Sequence, residues 1–380
     1  MTRAYLDWNA TAPLRPEARD AMLGAMELVG NPSSVHAEGR AAKGLVEKAR
    51  AQIAQAFGAD GADIVFTSGA TEAAALAMGW IAPGAQPERR AVIASPVEHD
   101  CIEAHAGDAP RLPLDPTGLV QLDGWSGLQD WTDGGHVFAI QSANSETGVL
   151  QDTAALWGQV KAVDDSRTFC LTDATQSFGK VPFAFHWCGA DAAIISAHKL
   201  GGPKGIGALV FRRGTDLAAR ITGGGQEMGR RSGTENIVGI AGFAAAAEAA
   251  QRDLTDGAWE RAGVLRDILE KALVADENKT IFVGNRVARL PNTSCIATPG
   301  WKAETQVMQM DLAGFAISAG SACSSGKVRV SRVLTAMGHD ADTAASAIRV
   351  SIGPETAEDD VLRFAEAWCA RRKKHFARVA

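Results

Sequence analysis

Short apolar runs alternate with stretches of helical periodicity along much of the chain. Apolar side chains recur near helical spacing through residues 40–57, and Gly58 follows as a suitable helix stop. The same pattern predicts further helices at residues 72–80, 154–163, 237–252, 259–275 and 357–371. Short apolar runs predict strands at residues 64–66, 91–94, 137–140, 169–171, 192–195 and 208–211. Because strands and helices alternate, we predict an α/β fold with a mostly parallel sheet covered by helices on both faces.

Polar residues stand where several of these strands end. They are Thr71, His99, Ser145, Asp173 and Lys199. In open parallel sheets, ligands bind at the carboxyl ends of the strands. The common placement of these five residues therefore predicts a single pocket at that edge of the sheet.

Lys199 lies in a glycine-rich turn, residues 196–207, between two predicted strands. A lysine at the exit of a buried strand is costly unless it is partnered or reacts, and its amine could form a Schiff base with a carbonyl cofactor. The alternative is a solvated lysine in a hairpin turn. Two other lysines compete: we expect Lys204 to be a turn residue and Lys180 to point to solvent.

Composition and charge narrow the class of protein. The chain has 380 residues, 46% of them hydrophobic and 22% charged, with a formal net charge of −6. These values are typical of a soluble globular protein and give no general attraction to nucleic acid or to acidic membranes. The first residues include no apolar signal region, and the longest apolar run, residues 237–247, is too short to span a bilayer. We therefore expect a cytoplasmic protein without a nucleic-acid or membrane partner.

Several common site motifs are missing from the sequence. There is no GxxxxGK[ST], no GxGxxG after an early strand, no HExxH and no Gly-x-Ser-x-Gly nucleophile elbow. The six cysteines form no CxxC pair and no zinc-ligand spacing with histidine, so we expect free thiols and no metal site.

The pocket residues match what pyridoxal phosphate requires of a protein. Lys199 could hold its aldehyde, Asp173 could pair with the pyridinium nitrogen, and His99 could cover the ring and move protons. A glycine turn that feeds a helix N-terminus suits a phosphate. The predicted phosphate contacts are Ala70, Thr71, Ser196 and His198. Taken singly, each has a structural alternative: a core histidine, a strand-end aspartate or an ordinary helix cap.

Cys323 is a second candidate for chemistry. It lies in a segment of small and polar residues, 318–326, which predicts a loop rather than core. A lone cysteine is more often a small buried hydrophobic residue. Here Lys327, Arg329 and Arg332 follow it, and positive charge would favour the reactive thiolate. We therefore expect a nucleophile that takes a group from a substrate and delivers it elsewhere.

Nearly the whole chain resembles the cysteine desulfurases of the NifS/IscS type, within the class V aminotransferases of fold-type I. The most specific segments are Ser-x-His-Lys at residues 196–199 and Gly-Ser-Ala-Cys at residues 320–323, in this order and spacing. The other segments that carry the resemblance are residues 5–7, 10–13, 31–34, 66–72, 98–99, 146–152, 173–180, 223–234 and 348–351. The resemblance implies a large cofactor-binding domain at residues 14–250. It also implies a smaller α/β domain, formed by residues 1–13 and 251–380, that carries the Cys323 loop.

The resemblance also implies an activity and further site residues. The enzyme would convert L-cysteine to L-alanine and leave a persulfide on Cys323, for transfer to an acceptor protein in iron–sulfur cluster or thio-cofactor synthesis. Gln176 would contact the ring oxygen of pyridoxal phosphate, and Thr234 would reach the phosphate of the partner subunit, which implies a homodimer. Asn31 and Arg349 would hold the substrate carboxylate.

Two departures leave alternatives open. Ser145 stands where the family has an asparagine, so substrate binding could be weaker or mediated by water. The resemblance implies a C-terminal extension that docks a scaffold protein in related enzymes, and we expect it to be short or missing here, which leaves the acceptor open. A selenocysteine lyase, another class V aminotransferase reaction, or a weak homologue kept as a sulfur carrier remain alternative functions.

Overall fold

A computed structural model describes residues 3–80, 91–127, 135–164, 167–274, 280–320 and 330–379. The strands are β1 (Ala4–Tyr5), β2 (Asp63–Thr67), β3 (Val92–Ala94), β4 (His136–Gln141), β5 (Thr168–Asp173), β6 (Ala192–Ser196), β7 (Gly207–Phe211), β8 (Ile281–Val283), β9 (Thr293–Ala297), β10 (Phe315–Ala316), β11 (Ser318–Ala319) and β12 (Ile348–Ser351). The α-helices are α1 (Pro16–Met26), α2 (Ala37–Ala56), α3 (Ala70–Ala77), α4 (Asp100–Ala106), α5 (Thr153–Asp164), α6 (Ile237–Thr255), α7 (Ala258–Val274), α8 (Ala303–Leu312), α9 (Arg332–Ala336), α10 (Ala341–Ser346) and α11 (Glu358–Val379).

The larger sheet has the strand order β2-β7-β6-β5-β4-β3. Strands β3 to β6 pair in parallel, whereas β7 runs antiparallel to both of its neighbours, β6 and β2. The α/β fold with a mostly parallel sheet is therefore confirmed. The exception is β7, which returns directly from β6 through the glycine-rich turn and must run in the opposite direction.

Both faces of this sheet are buried. On β4, Phe138 and Ile140 belong to one hydrophobic cluster, and Val137 and Ala139 belong to another. Side chains alternate between the faces of a strand, so these two clusters lie on opposite sides. Helices α1 and α2 both pack on α6, while α3 packs against β6 and β7 and α4 against β3. A strand covered on both faces has no polar side, which is why the sequence shows continuous apolar runs.

The second sheet is antiparallel, with the order β11-β12-β9-β8. The N-terminus joins this part of the chain, because β1 pairs in parallel with β10 and Leu6 shares a hydrophobic cluster with Trp301 and Trp368. These contacts agree with grouping residues 1–13 and 251–380 together. The domain boundaries themselves remain a prediction.

Several predicted helix ends differ from the structure by two or more residues, and two of them show why. Helix α3 begins at Ala70, two residues before the predicted start, because Gly69 occupies the N-cap position. Helix α11 continues to Val379, beyond the predicted end at residue 371. Its last turns are held by His375, whose Nε2 lies 2.9 Å from Gly300 O and whose ring stacks on Trp301.

Within the described residues, none of the helices has both the length and the apolar character that a membrane crossing requires. The same part of the chain contains no group of three or more His, Cys, Asp or Glu side chains placed to bind a metal ion. No disulfide bond joins the five cysteines that it includes.

Candidate active site

The lysine hairpin forms the centre of the site. Strand β6 ends at Ser196, a short 3₁₀ turn covers Ala197–Lys199, and β7 begins at Gly207, which pairs with Ser196. A Cβ atom on Gly207 would lie 2.7 Å from Ile195 O and 2.8 Å from Gly69 Cα. No side chain fits that gap, so glycine lets the backbone before α3 press against the hairpin.

Lys199 is largely buried and partnered. Its Nζ donates to the backbone oxygens of Asn9 at 2.7 Å and Ala10 at 2.9 Å. Burial, followed by the nearby Arg349 guanidinium, lowers the Lys199 pKa to about 8, although the Asp173 carboxylate opposes the shift. An amine with this pKa is neutral in a large fraction of molecules near pH 8, which is the form that reacts with a carbonyl group.

Asp173 lies at the end of β5 and His99 follows β3, which are two other strands of the sheet. Asp173 is the last residue of β5, it is buried, and its Oδ1 accepts from Thr175 N at 2.8 Å. His99 is the N-cap of α4, and its Nδ1 accepts from Cys101 N at 3.1 Å. Because Nδ1 acts as the acceptor, a neutral His99 ring carries its proton on Nε2, where it is available as a donor.

The predicted phosphate contacts converge beside the hairpin. Ala70 and Thr71 form the first turn of α3, which packs against β6 and β7, and Ser196 is buried at the end of β6. His198 lies on the 3₁₀ turn, with Nδ1 3.2 Å from Thr11 Oγ1. Burial, then Lys199 and Lys204, lower its pKa to about 4, so the His198 ring is neutral near pH 7.

Arg349 is buried on β12 and is already engaged by the protein. One Nη donates to Ser145 O at 3.0 Å, and the other donates to Asp7 Oδ1 at 2.8 Å. Its buried Nε has no hydrogen-bond partner among the described residues. The contact of Arg349 with a substrate carboxylate stays a prediction, and each Nη keeps a second N–H besides the one it donates to Asp7 or Ser145. The contact between Ser145 and Arg349 uses the backbone oxygen of Ser145 and not its side chain.

Three predicted site residues stand apart from this group. Asn31 is exposed, and its side-chain oxygen accepts from Ser33 N at 2.9 Å. Thr234 is also exposed, in the loop before α6. Cys323 lies outside the described residues. Their roles remain predictions.

The prediction for Lys180 was wrong. Lys180 is only 1% exposed. Its Nζ donates to Gln176 Oε1 at 2.6 Å and to Asn9 Oδ1 at 2.9 Å. The chain turns repeatedly between residues 174 and 180, which carries Lys180 back toward the strand end instead of out to solvent. Burial, then Lys199 and Arg349, hold its pKa well below the usual lysine range.

Sequence reasoning also missed several acidic and amide residues. Asp7 and Asn9 follow β1 and reach the site as partners of Arg349, Lys180 and Lys199. Glu146 accepts from Ser331 Oγ at 2.6 Å, and burial raises its pKa to about 7. The available signal for Asp7 and Glu146 was their position inside segments that carried the family resemblance, and Asn9 lies between two such segments.

The residues present fit pyridoxal phosphate. The cofactor needs an amine for its aldehyde, a carboxylate for its ring nitrogen and several N–H donors for its phosphate. Lys199 and Asp173 provide the first two, and Asp173 is close enough to raise the Lys199 pKa. The close approach of Gly69 to Gly207 places the first N–H groups of α3, which have no helical partner, beside the lysine hairpin.

The fold and the site define an α/β enzyme with a reactive lysine on a hairpin at the carboxyl edge of its sheet. The class-V aminotransferase family model matches residues 4–364, and the chain belongs to this family. The resemblance predicted from the sequence is thereby confirmed.

Relatives of this chain over nearly its full length include proteins named as cysteine desulfurases. The chain is 39% identical to a cysteine desulfurase of Frankia sp. (strain EuIK1), covering 95% of this chain and 89% of that protein. It is 36% identical to the cysteine desulfurase NifS of Azotobacter vinelandii, covering 96% and 91%. The solved structure of a NifS-like protein from Rickettsia africae ESF-5 superimposes with a TM-score of 0.88 at 34% identity, covering 98% of this chain and 99% of that one.

Proposed function

We propose that this chain is a pyridoxal phosphate-dependent cysteine desulfurase that converts L-cysteine to L-alanine and retains the sulfur as a persulfide on Cys323. The observation that carries the proposal is Lys199, a largely buried lysine with a pKa of about 8, at the strand edge that also holds Asp173. The similarity to cysteine desulfurases over nearly the full chain supports the choice of reaction. No observation favours selenocysteine or a keto acid over cysteine.

The cofactor would be held by residues of the large sheet and the loops around it. When bound, pyridoxal phosphate supplies an aldehyde for the lysine amine and a ring that takes up electrons from the substrate. Lys199 would hold the aldehyde, Asp173 would pair with the ring nitrogen, Gln176 would donate to the ring oxygen and His99 would cover the ring. The phosphate contacts would be Ala70, Thr71, Ser196 and His198, with Thr234 of the partner subunit completing the set in a homodimer.

Lys199 and His99 are the groups that would move protons. A neutral Lys199 amine can accept the α-proton of the substrate, and its lowered pKa makes that form available near neutral pH. His99 Nε2 faces away from the Nδ1 that accepts from Cys101 N, so Nε2 can donate a proton or a hydrogen bond.

The substrate carboxylate would be bound by Arg349, with Asn31 and Ser145 nearby. Each Nη of Arg349 donates one of its two N–H bonds, to Ser145 O or to Asp7 Oδ1, so a second N–H on each nitrogen is left for the carboxylate. Ser145 is shorter than the family asparagine, so we expect weak or water-mediated contact from its side chain.

The sulfur transfer balances without an added oxidant. The Cys323 thiolate attacks the substrate sulfur, an S–S bond forms and the Cβ–S bond breaks. The electron pair of the broken bond passes to the carbon skeleton, which gains a proton and leaves as alanine. A protein acceptor, serving iron–sulfur cluster or thio-cofactor synthesis in the cytoplasm, would then take the persulfide sulfur.

The test is production of alanine and sulfide from L-cysteine in the presence of a thiol. We expect turnover to be lost in Lys199→Ala and strongly reduced in Cys323→Ser. Full desulfurase turnover in Cys323→Ser would refute the nucleophile assignment. Transamination of keto acids that does not depend on Cys323 would instead favour an aminotransferase.

A further inference from the structure

Lys180 is a second buried lysine that the proposed reaction does not use. It lies four residues after Gln176, and its Nζ contacts the Gln176 side chain at 2.6 Å. A lysine that is 1% exposed has lost its hydration, so only the protein groups it contacts can accept hydrogen bonds from its amine. Those contacts determine how the Gln176 amide is oriented.

The two ends of a glutamine amide have almost the same shape but opposite hydrogen-bonding character. Lys180 donates through its N–H bonds, so it selects the oxygen end, Oε1, of Gln176. The nitrogen end must then point the other way. Gln176 Nε2 donates at 3.0 Å to the backbone oxygen of Asn9, and Lys199 Nζ donates to that same oxygen at 2.7 Å. The donor end of Gln176 therefore lies next to the reactive lysine.

We propose that Lys180 is a positioning residue for pyridoxal phosphate, which fixes the Gln176 amide so that its N–H end faces the ring oxygen of the cofactor. This inference rests on the proposed function. The ring oxygen carries negative charge, so it is stabilised by a donor. A flipped Gln176 would present Oε1 to it, and two acceptors would then face each other.

The charge state of Lys180 suits this role. A neutral amine retains two N–H bonds, which is enough to donate to both Gln176 Oε1 and Asn9 Oδ1. Burial and the cations of Lys199 and Arg349 favour that neutral form. Lys180 can thus hold the amide without adding a further positive charge beside Lys199.

A purely structural role for Lys180 would act through Asn9. Asn9 Oδ1 accepts from Lys180 Nζ, and it also accepts from Asn292 Nδ2 at 3.1 Å. Asn292 thereby links Asn9 to the second sheet, and its described hydrogen bonds do not include Gln176. Asn292→Ala is therefore a matched control, because it removes a donor to the same oxygen and leaves the Lys180–Gln176 contact in place.

The experiment uses the full-length protein loaded with pyridoxal phosphate and measures the pH midpoint of the visible absorbance band. A donor to the ring oxygen stabilises its negative charge and lowers the pKa of the nitrogen that joins Lys199 to the cofactor. We expect Lys180→Met to raise the midpoint by about half a pH unit or more, and we expect Gln176→Ala to raise it in the same direction. The double variant should show no larger shift than Gln176→Ala alone, and Asn292→Ala should leave the midpoint unchanged.

Three results would overturn the inference: an unshifted midpoint in Lys180→Met, additive shifts in the double variant, or an equal shift in Asn292→Ala. If Lys180→Met does not fold, Lys180→Gln, whose amide nitrogen is one bond closer to the backbone than Lys180 Nζ and so falls short of Gln176 Oε1, is measured in its place with the same criteria. A wild-type protein that binds no pyridoxal phosphate and shows no visible band would refute the proposed function itself. A normal wild-type band with unshifted variants would refute only the role of Lys180.

Discussion

The carboxylate of Asp7 lies 2.8 Å from a guanidinium nitrogen of Arg349, although 342 residues separate them in the chain. Their side chains are only 16% and 8% exposed. The other Asp7 oxygen accepts from Ser318 Oγ at 2.8 Å. The pair therefore ties the N-terminal segment to the second sheet and balances the one arginine that we expect to meet the substrate carboxylate.

Loss of the Asp7 charge should destabilise the fold. Asp7→Asn leaves a buried guanidinium without its counter-ion, and we expect the free energy of unfolding to fall by about 3 kcal/mol in chemical denaturation of the cofactor-free protein. Asp311→Asn is the control, because Asp311 pairs with Arg3 where both side chains are more than half exposed. That change should cost less than about 1 kcal/mol. Equal losses in the two variants would contradict a special role for the buried pair.

The rate at which the cofactor-free protein takes up pyridoxal phosphate should depend on the fraction of Lys199 that is deprotonated. Only the neutral amine attacks the aldehyde, so the rate at which the visible band forms in cofactor-free protein should rise with pH, with a midpoint near the Lys199 pKa of about 8. Arg349 lowers that pKa and Asp7 raises it. Arg349→Gln removes the guanidinium and frees the Asp7 carboxylate, so it should move the midpoint to higher pH. Asp7→Asn should move it to lower pH. If either midpoint stays unchanged or moves against its expected direction, the charges of Arg349 and Asp7 do not control the protonation of Lys199.

The local pattern of the sequence predicted most of the sheet and the residues at its edge. Strands β4 to β6 are apolar on both faces, so each appears as a short run that ends at a polar residue. The carboxyl ends of parallel strands meet at one edge, and this rule brought Asp173 and Lys199 together before any contact was known. The glycine-rich turn between β6 and β7 was equally clear from composition alone.

What the sequence could not supply was the set of contacts between distant segments. Lys180 was expected in solvent because its neighbours in sequence do not show that Asn9, 171 residues away, provides an acceptor. Likewise, nothing in the sequence around Arg349 indicates that its guanidinium donates to Asp7. Such tertiary partners determine whether a side chain is buried and whether it is protonated, and they come together only when the chain folds.

Glu146 should make the stability of the fold depend on pH. Burial raises its pKa to about 7, whereas an exposed glutamate in the unfolded chain titrates near 4.5. Between these values the folded state binds the proton and the unfolded state does not, so the contribution of Glu146 to stability is greatest below about pH 4.5 and is lost as the pH rises through about 7. Glu146→Gln keeps an acceptor for Ser331 Oγ and cannot ionise. We expect this variant to gain stability over wild type across that range, by up to about 3 kcal/mol above pH 7. A stability difference that is the same at pH 5 and pH 8 would contradict the prediction, as measured by denaturant unfolding of the cofactor-free proteins.

Gly207 should be intolerant of even one added methyl group. Its Cβ would lie 2.7 Å from Ile195 O and 2.8 Å from the backbone of Gly69, and neither neighbour is a flexible side-chain end that could move aside. Gly207→Ala must therefore push the segment before α3 away from the lysine hairpin, at a cost of about 1–3 kcal/mol in unfolding free energy. The same displacement should weaken pyridoxal phosphate binding, because the predicted phosphate donors move relative to Lys199.

Gly205→Asn is the control in the same turn: a Cβ there meets no atom within 4 Å, and asparagine tolerates its φ of 79°. We expect this control to bind the cofactor as wild type does, in a titration followed by the visible band. Unchanged cofactor affinity in Gly207→Ala would show that the approach of α3 to the hairpin is not what forms the phosphate site.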